Sequence, residues 1–278
     1  MRYFSMFSGI GGFELGIEQA AHEYDIKAEC VGYSEIDKHA IATYEEHFDH
    51  EPFGDATGID ADSLPEFDLL VGGFPCQAFS VAGRRRGFAD TRGTLFFDIA
   101  RILDARTPQY FILENVKGLL SHDKGNTFRT IIGALDDLGY DVQWKVLNSK
   151  DHGVPQHRER VYIVGNLGGT PRPEVFHRTG PGNPYSTVGL STETAVARTL
   201  TAGGNSGGNH SGLTVIRTPQ GDRRLTPTEW ERLQGFPDGW TVGSDTQRYK
   251  QCGNAVTVNV VRHVASRLFS SHCGQVAA

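Results

Sequence analysis

Cysteine is scarce, long apolar runs are absent and positive charge is not in excess, and each of these lacks closes off a class of protein. The 278 residues hold four cysteines, Cys30, Cys76, Cys252 and Cys273. They are scattered, without the paired spacing of a zinc site or the density of a disulfide scaffold, so each is judged singly and no metal is expected. No stretch approaches the ~20 apolar residues of a membrane span. The opening "MRYFSMFSGIGG" lacks the apolar core and cleavage site of a signal peptide, so a cytoplasmic protein without membrane contact is expected. The formal net charge of -6 by itself argues against a polyanionic partner, because like charges repel at long range. Local clustering runs the other way: Arg84, Arg85, Arg86 and Arg92 share one stretch with Asp90 as their acidic neighbour. Taken alone, such a run reads as a solvated loop.

What is present is an alternation of short apolar runs and helical patterns. "RYFSMF", "AECVGYS", "FDLLVGG", "QYFILEN", "VQWKVLN" and "RVYIVG" read as strands, and in "TLFFDIARILDAR" Leu95, Ile99, Ile102 and Leu103 make one apolar helix face. Strand and helix repeated in this way predict an α/β fold, a mostly parallel sheet covered on both faces. In such sheets ligands bind beyond the carboxyl ends of the strands. From Gly168 to about Asp222 the chain is rich in Gly, Pro, Ser, Thr and Asn, which predicts a small loop- and strand-rich domain rather than a linker of that length. "LTPTEWERLQGF" predicts a helix with Thr226 as N-cap, Pro227 at the first position and Glu229 closing a capping box. In "VTVNVVRHVASRLF" Val256, Val260, Val264 and Leu268 form a stripe that can return to the first domain. The expected units are 1–167, 168–250 including the "LTPTEWERLQGF" helix, 251–272, and a tail, 273–278.

The predicted carboxyl ends carry the chemistry. Gly9, Gly11 and Gly12 make a tight turn before a helix, where backbone N–H groups can approach a ligand. A dinucleotide fingerprint calls for glycine at position 14, where Glu14 stands, and a negative side chain would sit poorly against a pyrophosphate. Glu35 ends the second strand, where a carboxylate can accept both ribose hydroxyls. The pair suits an adenosine ligand without a pyrophosphate, such as S-adenosylmethionine, while a plain turn with a surface Glu remains the alternative.

Cys76 follows a rigid Gly-Phe-Pro turn at the same edge and precedes an Arg-bearing loop whose positive potential lowers a thiol pKa. Cys30 and Cys252 are read as packing residues. Glu114 and Asn115 close an apolar strand, where desolvation raises a carboxyl pKa and suits it to donate a proton; a strand-end cap is the plainer reading. Arg158 and Arg160 alternate on entering a strand, which places both on one face. A thiolate, a proton-donating carboxyl, a guanidinium and a methyl donor suit methylation of C5 of cytosine, a carbon that becomes nucleophilic once a thiolate adds to C6.

"FSGIGGFE", "GGFPCQAFS", "GFADTRGTLFFDIARI", "ENVKGLLSHDKGNT", "VPQHRERVYIVG", "LTPTEWERLQGFPDGW" and "QCGNAV" together resemble the ordered motifs of the DNA cytosine-C5 methyltransferase family, over nearly all the chain outside 168–222. The resemblance implies a Rossmann-like S-adenosylmethionine-dependent methyltransferase sheet with a small target-recognition domain. It implies Cys76 as nucleophile, Glu114 as the partner of cytosine N3, Arg160 at O2 and Arg158 in support. For the cofactor it implies Phe7 and Ile36 on the two faces of the adenine, Gly9, Gly11 and Gly12 beside the methionine part, Glu35 on the ribose, Asp55 at the adenine amino group and Asn254 closing the pocket. The stretch 77–93 matches the loop that closes over DNA, with Gly83, Gly87 and Gly93 as hinges. Ser5 departs from the pattern, replacing a common Asp and predicting altered cofactor affinity.

The implied substrate is double-stranded DNA, whose cytosine must be flipped out for attack. Arg84, Arg85, Arg86, Arg92, Arg198, Asn205, Asn209 and Arg217 are the candidate contacts, Arg suiting guanine and Asn adenine. The remaining expectations are a monomer, S-adenosylhomocysteine as by-product, a paired restriction endonuclease or a viral setting, and a prokaryotic or virus-infected cytoplasm. A tRNA cytosine methyltransferase of the same fold and a catalytically silent DNA-binding module are the rivals. A Rossmann reductase fails at Glu14.

Overall fold

The computed structural model describes residues 1–75, 95–169, 173–176, 196–202, 215–218 and 221–276. Cys76, Arg84, Arg85, Arg86, Arg92, Asn205 and Asn209 lie outside the described residues.

The apolar runs become β1 (Arg2–Met6), β2 (Glu29–Ser34), β3 (Leu69–Gly73), β4 (Tyr110–Val116), β5 (Tyr140–Asn148) and, after the two-residue β6 (Gln156–His157), β7 (Glu159–Leu167). Six of them form one sheet in the order β2-β1-β3-β4-β7-β5. β2, β1, β3 and β4 run parallel, and β7 enters antiparallel between β4 and β5. The reversal follows from chain connection. The helix α3 (Leu95–Arg106) stands between β3 and β4 and lets the chain return parallel, whereas β5 leads to β7 through a short turn and β6, with no crossover helix, and the chain turns back.

Helices cover both faces: α1 (Gly12–Glu23), α2 (Lys38–Glu45), α3 (Leu95–Arg106), α4 (Asn126–Asp137), α5 (Pro227–Gln234), α6 (Asp245–Asn254) and α7 (Val258–Val276). Side chains alternate between two cores with the period of the pleat. Phe4, Met6, Leu70, Phe111, Leu113, Val161 and Ile163 face the core shared with α3 and α4. Tyr3, Leu69, Val71, Tyr110, Ile112, Tyr162 and Val164 face the core shared with α1 and α7. Burial on both faces explains why β4 reads as a continuous apolar run. The stripe Val256, Val260, Val264 and Leu268 joins this second core, so the last helix does return to the first half of the chain.

The smaller strands are β8 (Ala197–Arg198), parallel to β6, and the antiparallel pair β9 (Val215–Thr218) and β10 (Gly221–Arg224). α5 begins as its sequence predicts. Glu229 N donates to Thr226 Oγ1 at 3.3 Å, Thr226 N donates to Glu229 Oε2 at 2.7 Å, and Pro227 stands at the start. A cluster of Leu200, Leu225, Trp230, Leu233, Tyr249 and Cys252 packs β8, α5 and α6 together. Another, with Ile10, Ala40, Phe236, Trp240, Ala255 and Val258, ties the segment after α5 to the first helix and its preceding turn. The expected divisions after 250 and 272 therefore fall within α6 and α7. Among the described residues no helix is long and apolar enough to cross a membrane.

Candidate active site

Sheet register aligns the residues of interest along one edge. Met6 pairs with both Ser34 and Gly72, Gly73 pairs with Glu114, and Val116 pairs with Arg160. The carboxyl ends of β1 to β4 and the amino end of the reversed β7 thus meet on a single side.

The turn after β1 bends through three left-handed residues, Phe7 (φ 55°), Gly9 (φ 59°) and Gly11 (φ 83°). A Cβ at Gly9 would meet nothing within 4 Å, so this backbone borders open space. A Cβ at Gly11 would stand 2.3 Å from the Phe48 ring, and one at Gly12 2.7 Å from Val256 Cγ2. The three glycines therefore divide the work: Gly9 leaves room for a ligand, while Gly11 and Gly12 let the protein close behind the turn.

Glu35, just past β2, accepts from Gly9 N at 2.9 Å and from Ile36 N and Asp37 N at 2.8 Å each. Three of the roughly four lone-pair positions of its carboxylate are thus already in use. Ile36 beside it is 72 % exposed, an unusual state for a large apolar side chain. Asp55 accepts Thr57 N and Thr57 Oγ1, both at 2.9 Å and both on Oδ1, and its carboxyl is held below the usual range by these bonds. Phe7 is half-buried against the core beneath it, and Asn254 is exposed at the end of α6. These groups fit an adenosine-type ligand: an open glycine backbone, a carboxylate, an exposed apolar face and a second carboxylate whose bonds among the described residues all fall on Oδ1.

One residue sits otherwise than expected. Glu14 is fully buried and accepts from Tyr44 Oη at 3.1 Å, so its charge does not bear on a pyrophosphate. Burial pushes it up to about 7, opposed by the polar Ser5 side chain beside it and by the bond from Tyr44. Ser5, next to last in β1, is likewise fully buried, beside Glu14.

On the other half of the edge, Glu114 is buried at the end of β4, with Arg160 Nε 3.0 Å from its Oε1. Burial raises the Glu114 pKa, and Arg160, then Arg158, oppose the shift. Asn115, buried next to it, donates through Nδ2 to the carbonyl of Phe74 at 2.8 Å and accepts from Val116 N at 2.8 Å. It thereby holds the Phe74–Pro75 segment immediately before Cys76, a task that nothing in the one-dimensional pattern discloses.

Arg158, like Arg160, bears on Glu114, whose raised pKa both guanidiniums oppose. It precedes β7 and its guanidinium is committed to backbone: Nη1 to Leu200 O at 2.8 Å, Nη2 to Ala255 O at 2.8 Å, and both to Gly253 O at 3.4 and 3.3 Å. Burial and Arg160 push its pKa down to about 9, still well above neutral. It is a buried cation that joins β8, α6 and the strand edge. Of the residues expected to contact DNA, Arg198 is exposed in β8, and Arg217 lies in β9 opposite Asp222 of β10. Arg223, unremarked in the sequence, pairs with Glu229 through both terminal nitrogens at 2.8 and 2.7 Å. Among the described residues no group of three or more His, Cys, Asp or Glu is placed to hold a metal ion.

A sheet of this order with a nucleoside-fitting edge is the Rossmann-like methyltransferase fold. Solved structures share it. Spodoptera frugiperda DNMT2 superposes with a TM-score of 0.72 at 19% identity, covering 96% of this chain and 99% of that one. A putative DNA modification methyltransferase from an E. coli prophage gives 0.69 at 20%, covering 98% and 99%.

The model of the C-5 cytosine-specific DNA methylase family matches residues 1–183 and 180–270. The type II methyltransferase M.NlaX of Neisseria lactamica is 40% identical over an alignment of 301 residues, covering 95% of this chain and 94% of its own. M.NgoBI of Neisseria gonorrhoeae is 41% identical over 309, covering 95% and 92%. The chain belongs to the C-5 cytosine-specific DNA methylase family and is a DNA cytosine-5-methyltransferase.

Proposed function

We propose that the protein transfers a methyl group from S-adenosylmethionine to C5 of a cytosine flipped out of a short double-stranded DNA site, through a covalent bond between Cys76 and C6. The observation that carries this reading is the buried Glu114, raised by desolvation and faced by Arg160, one strand away from the Phe74–Pro75 segment that leads to Cys76.

The Cys76 thiolate forms the S–C6 bond while Glu114 gives its proton to N3 and Arg160 holds O2, so the electron pair of the C5–C6 bond becomes available at C5. The cofactor supplies an electrophilic methyl on a sulfonium. Phe7 and Ile36 flank its adenine, Gly9, Gly11 and Gly12 border its methionine part, Glu35 and Asp55 take the ribose and adenine edges, and Asn254 closes the pocket. Loss of the C5 proton, to water, returns electrons to the ring. These electrons re-form the C5–C6 double bond as the S–C6 bond breaks, Cys76 leaves as thiolate, and N3 returns its proton to the Glu114 carboxylate. Glu35 meets the ribose with its remaining acceptor capacity or by yielding the Gly9 N–H. Arg158 supports the site through the backbone it gathers.

The catalytic part is 1–167 with the returning helix. The lobe between them reads DNA, with Arg198, Asn205, Asn209 and Arg217 toward the bases and Arg84, Arg85, Arg86 and Arg92 toward the phosphates. The naming of its relatives as type II methyltransferases supports a partner endonuclease that the modification restrains. The enzyme acts as a cytoplasmic monomer and needs no metal. The test is transfer of labelled methyl from S-adenosylmethionine to unmethylated plasmid, with tRNA alongside and bisulfite sequencing of the product. Label in cytosine at one recurring site, lost in Cys76→Ser, supports the reading. Label in tRNA alone contradicts it.

A further inference from the structure

The turn that borders the cofactor space is held from the far end of the chain. Trp240 Nε1 donates to the carbonyl of Ile10 at 2.8 Å, across 230 residues of sequence. Ile10 lies inside the turn whose backbone passes through Phe7, Gly9 and Gly11 in left-handed conformations. Backbone of this kind persists only where its surroundings over-determine it. The turn's other support comes from itself and from the end of β2: Gly11 N donates to Ser8 O at 3.1 Å, Ser8 N to Ser34 O at 3.1 Å, and Gly9 N to Glu35 at 2.9 Å. Should a ribose hydroxyl compete for Glu35, the Trp240 bond becomes the fixed point.

Trp240 is itself tightly placed. Its ring stacks on His47 with centroids 3.6 Å apart at 14°, and leans on Phe236 at 5.4 Å. His47 Nε2 lies 2.8 Å from the Trp240 carbonyl. The residues on either side are bonded to one buried carboxylate: Gly239 N and Thr241 N donate to Glu231 at 2.8 and 2.9 Å, and Arg248 Nη2 completes it at 2.9 Å. Glu231 belongs to α5, which follows β10 with only Leu225 and the N-cap Thr226 between. An unbroken line of bonded groups thus runs from the β9–β10 hairpin to the cofactor turn.

We infer that Trp240 is a positioning residue for the cofactor turn, fixing the Ile10 carbonyl so that residues 8–12 are preset for S-adenosylmethionine. The inference rests on the cofactor assignment of the proposed function. Its consequence is that the segment beyond the DNA-reading hairpin sets cofactor affinity.

Trp240→Phe keeps an aromatic ring against His47 and removes the N–H. Titration calorimetry with S-adenosylhomocysteine, without DNA, then reads about five- to tenfold weaker binding, the worth of one hydrogen bond. KM for S-adenosylmethionine rises by the same factor while kcat and KM for DNA change less than about twofold. Amide exchange over residues 8–12 quickens. Unchanged affinity with a lowered melting temperature, or a fall in kcat at constant KM, overturns the inference. If Trp240→Phe does not fold, His47→Gln reads the same link: at least about twofold weaker binding supports it and unchanged binding overturns it. A wild-type protein that binds no S-adenosylhomocysteine overturns the cofactor assignment itself. An indifferent variant beside a binding wild type overturns the role of Trp240 alone.

Discussion

Arg160 Nε stands 3.0 Å from Glu114 Oε1, and the two form an ion pair at the buried end of β4. Burial raises the Glu114 pKa and the guanidinium limits the rise.

Glu114→Gln removes the proton that the reaction consumes at N3. Turnover falls by about 10²- to 10⁴-fold, with cofactor and DNA affinity nearly unchanged. Because the protonated form is the active one, wild-type kcat declines as pH climbs through the raised pKa, and the residual activity of the glutamine variant lacks that limb. A pH–rate profile of both proteins checks this.

Asn115 holds the Phe74 carbonyl two residues ahead of Cys76. Asn115→Asp discards the donor and sets a carboxylate against that carbonyl, so the segment loosens. Single-turnover rates are expected to fall by about five- to 150-fold, as the loss of about 1–3 kcal/mol from one buried bond implies, while binding of S-adenosylhomocysteine is retained.

Arg158 gathers the carbonyls of Leu200, Gly253 and Ala255. In Arg158→Ala these oxygens lose their donors inside the protein. Chemical denaturation should show a loss of about 3–5 kcal/mol, and Arg158→Lys recovers only part of it because an ammonium lacks the fork that spans three acceptors.

Glu14 gives a pH effect of opposite character to the usual acid denaturation. Its folded pKa, about 7, lies above the unfolded value near 4.5. Between those values the folded state holds a proton the unfolded state has released. Stability is therefore fully present below about 4.5 and is lost as pH rises toward 7, by an amount on the order of 3 kcal/mol. Glu14→Gln, which retains an acceptor for Tyr44, should be more stable than wild type at pH 8 and about equal to it at pH 4.5. Urea titrations at several pH values measure the difference.

Much of this architecture is legible without coordinates, for identifiable reasons. Strands buried on both faces announce themselves as apolar runs, and the α5 start is written in Thr226, Pro227 and Glu229. Strand direction has no local signature, so the reversal of β7 emerges only from its neighbours β4 and β5. α6, "DTQRYKQCGN", is too polar for its periodicity to show, and the stripe beginning at Val256 conceals that the last helix starts at Val258.

Within the site, Glu114, Arg160 and the glycine turn are readable because their chemistry depends on position along one chain segment. The burial of Glu14 and the partners of Arg158 are not readable, because alternation predicts a side, not a partner. Glu14 turns to Tyr44, and Arg158 precedes the strand whose pleat would have fixed its direction. Asn115 and Trp240 act on carbonyls 41 and 230 residues distant, relationships that residue type alone does not encode.

The central claim is a covalent bond between Cys76 and C6 of the target cytosine. DNA carrying 5-fluorocytosine tests it directly, since a C5 fluorine cannot leave as a proton does and the adduct persists after methyl transfer. With S-adenosylmethionine present, the account predicts a complex that survives denaturant, maps to the peptide containing Cys76 and is absent with Cys76→Ser. A protein that methylates ordinary DNA but forms no such complex, or forms it through another residue, would contradict it.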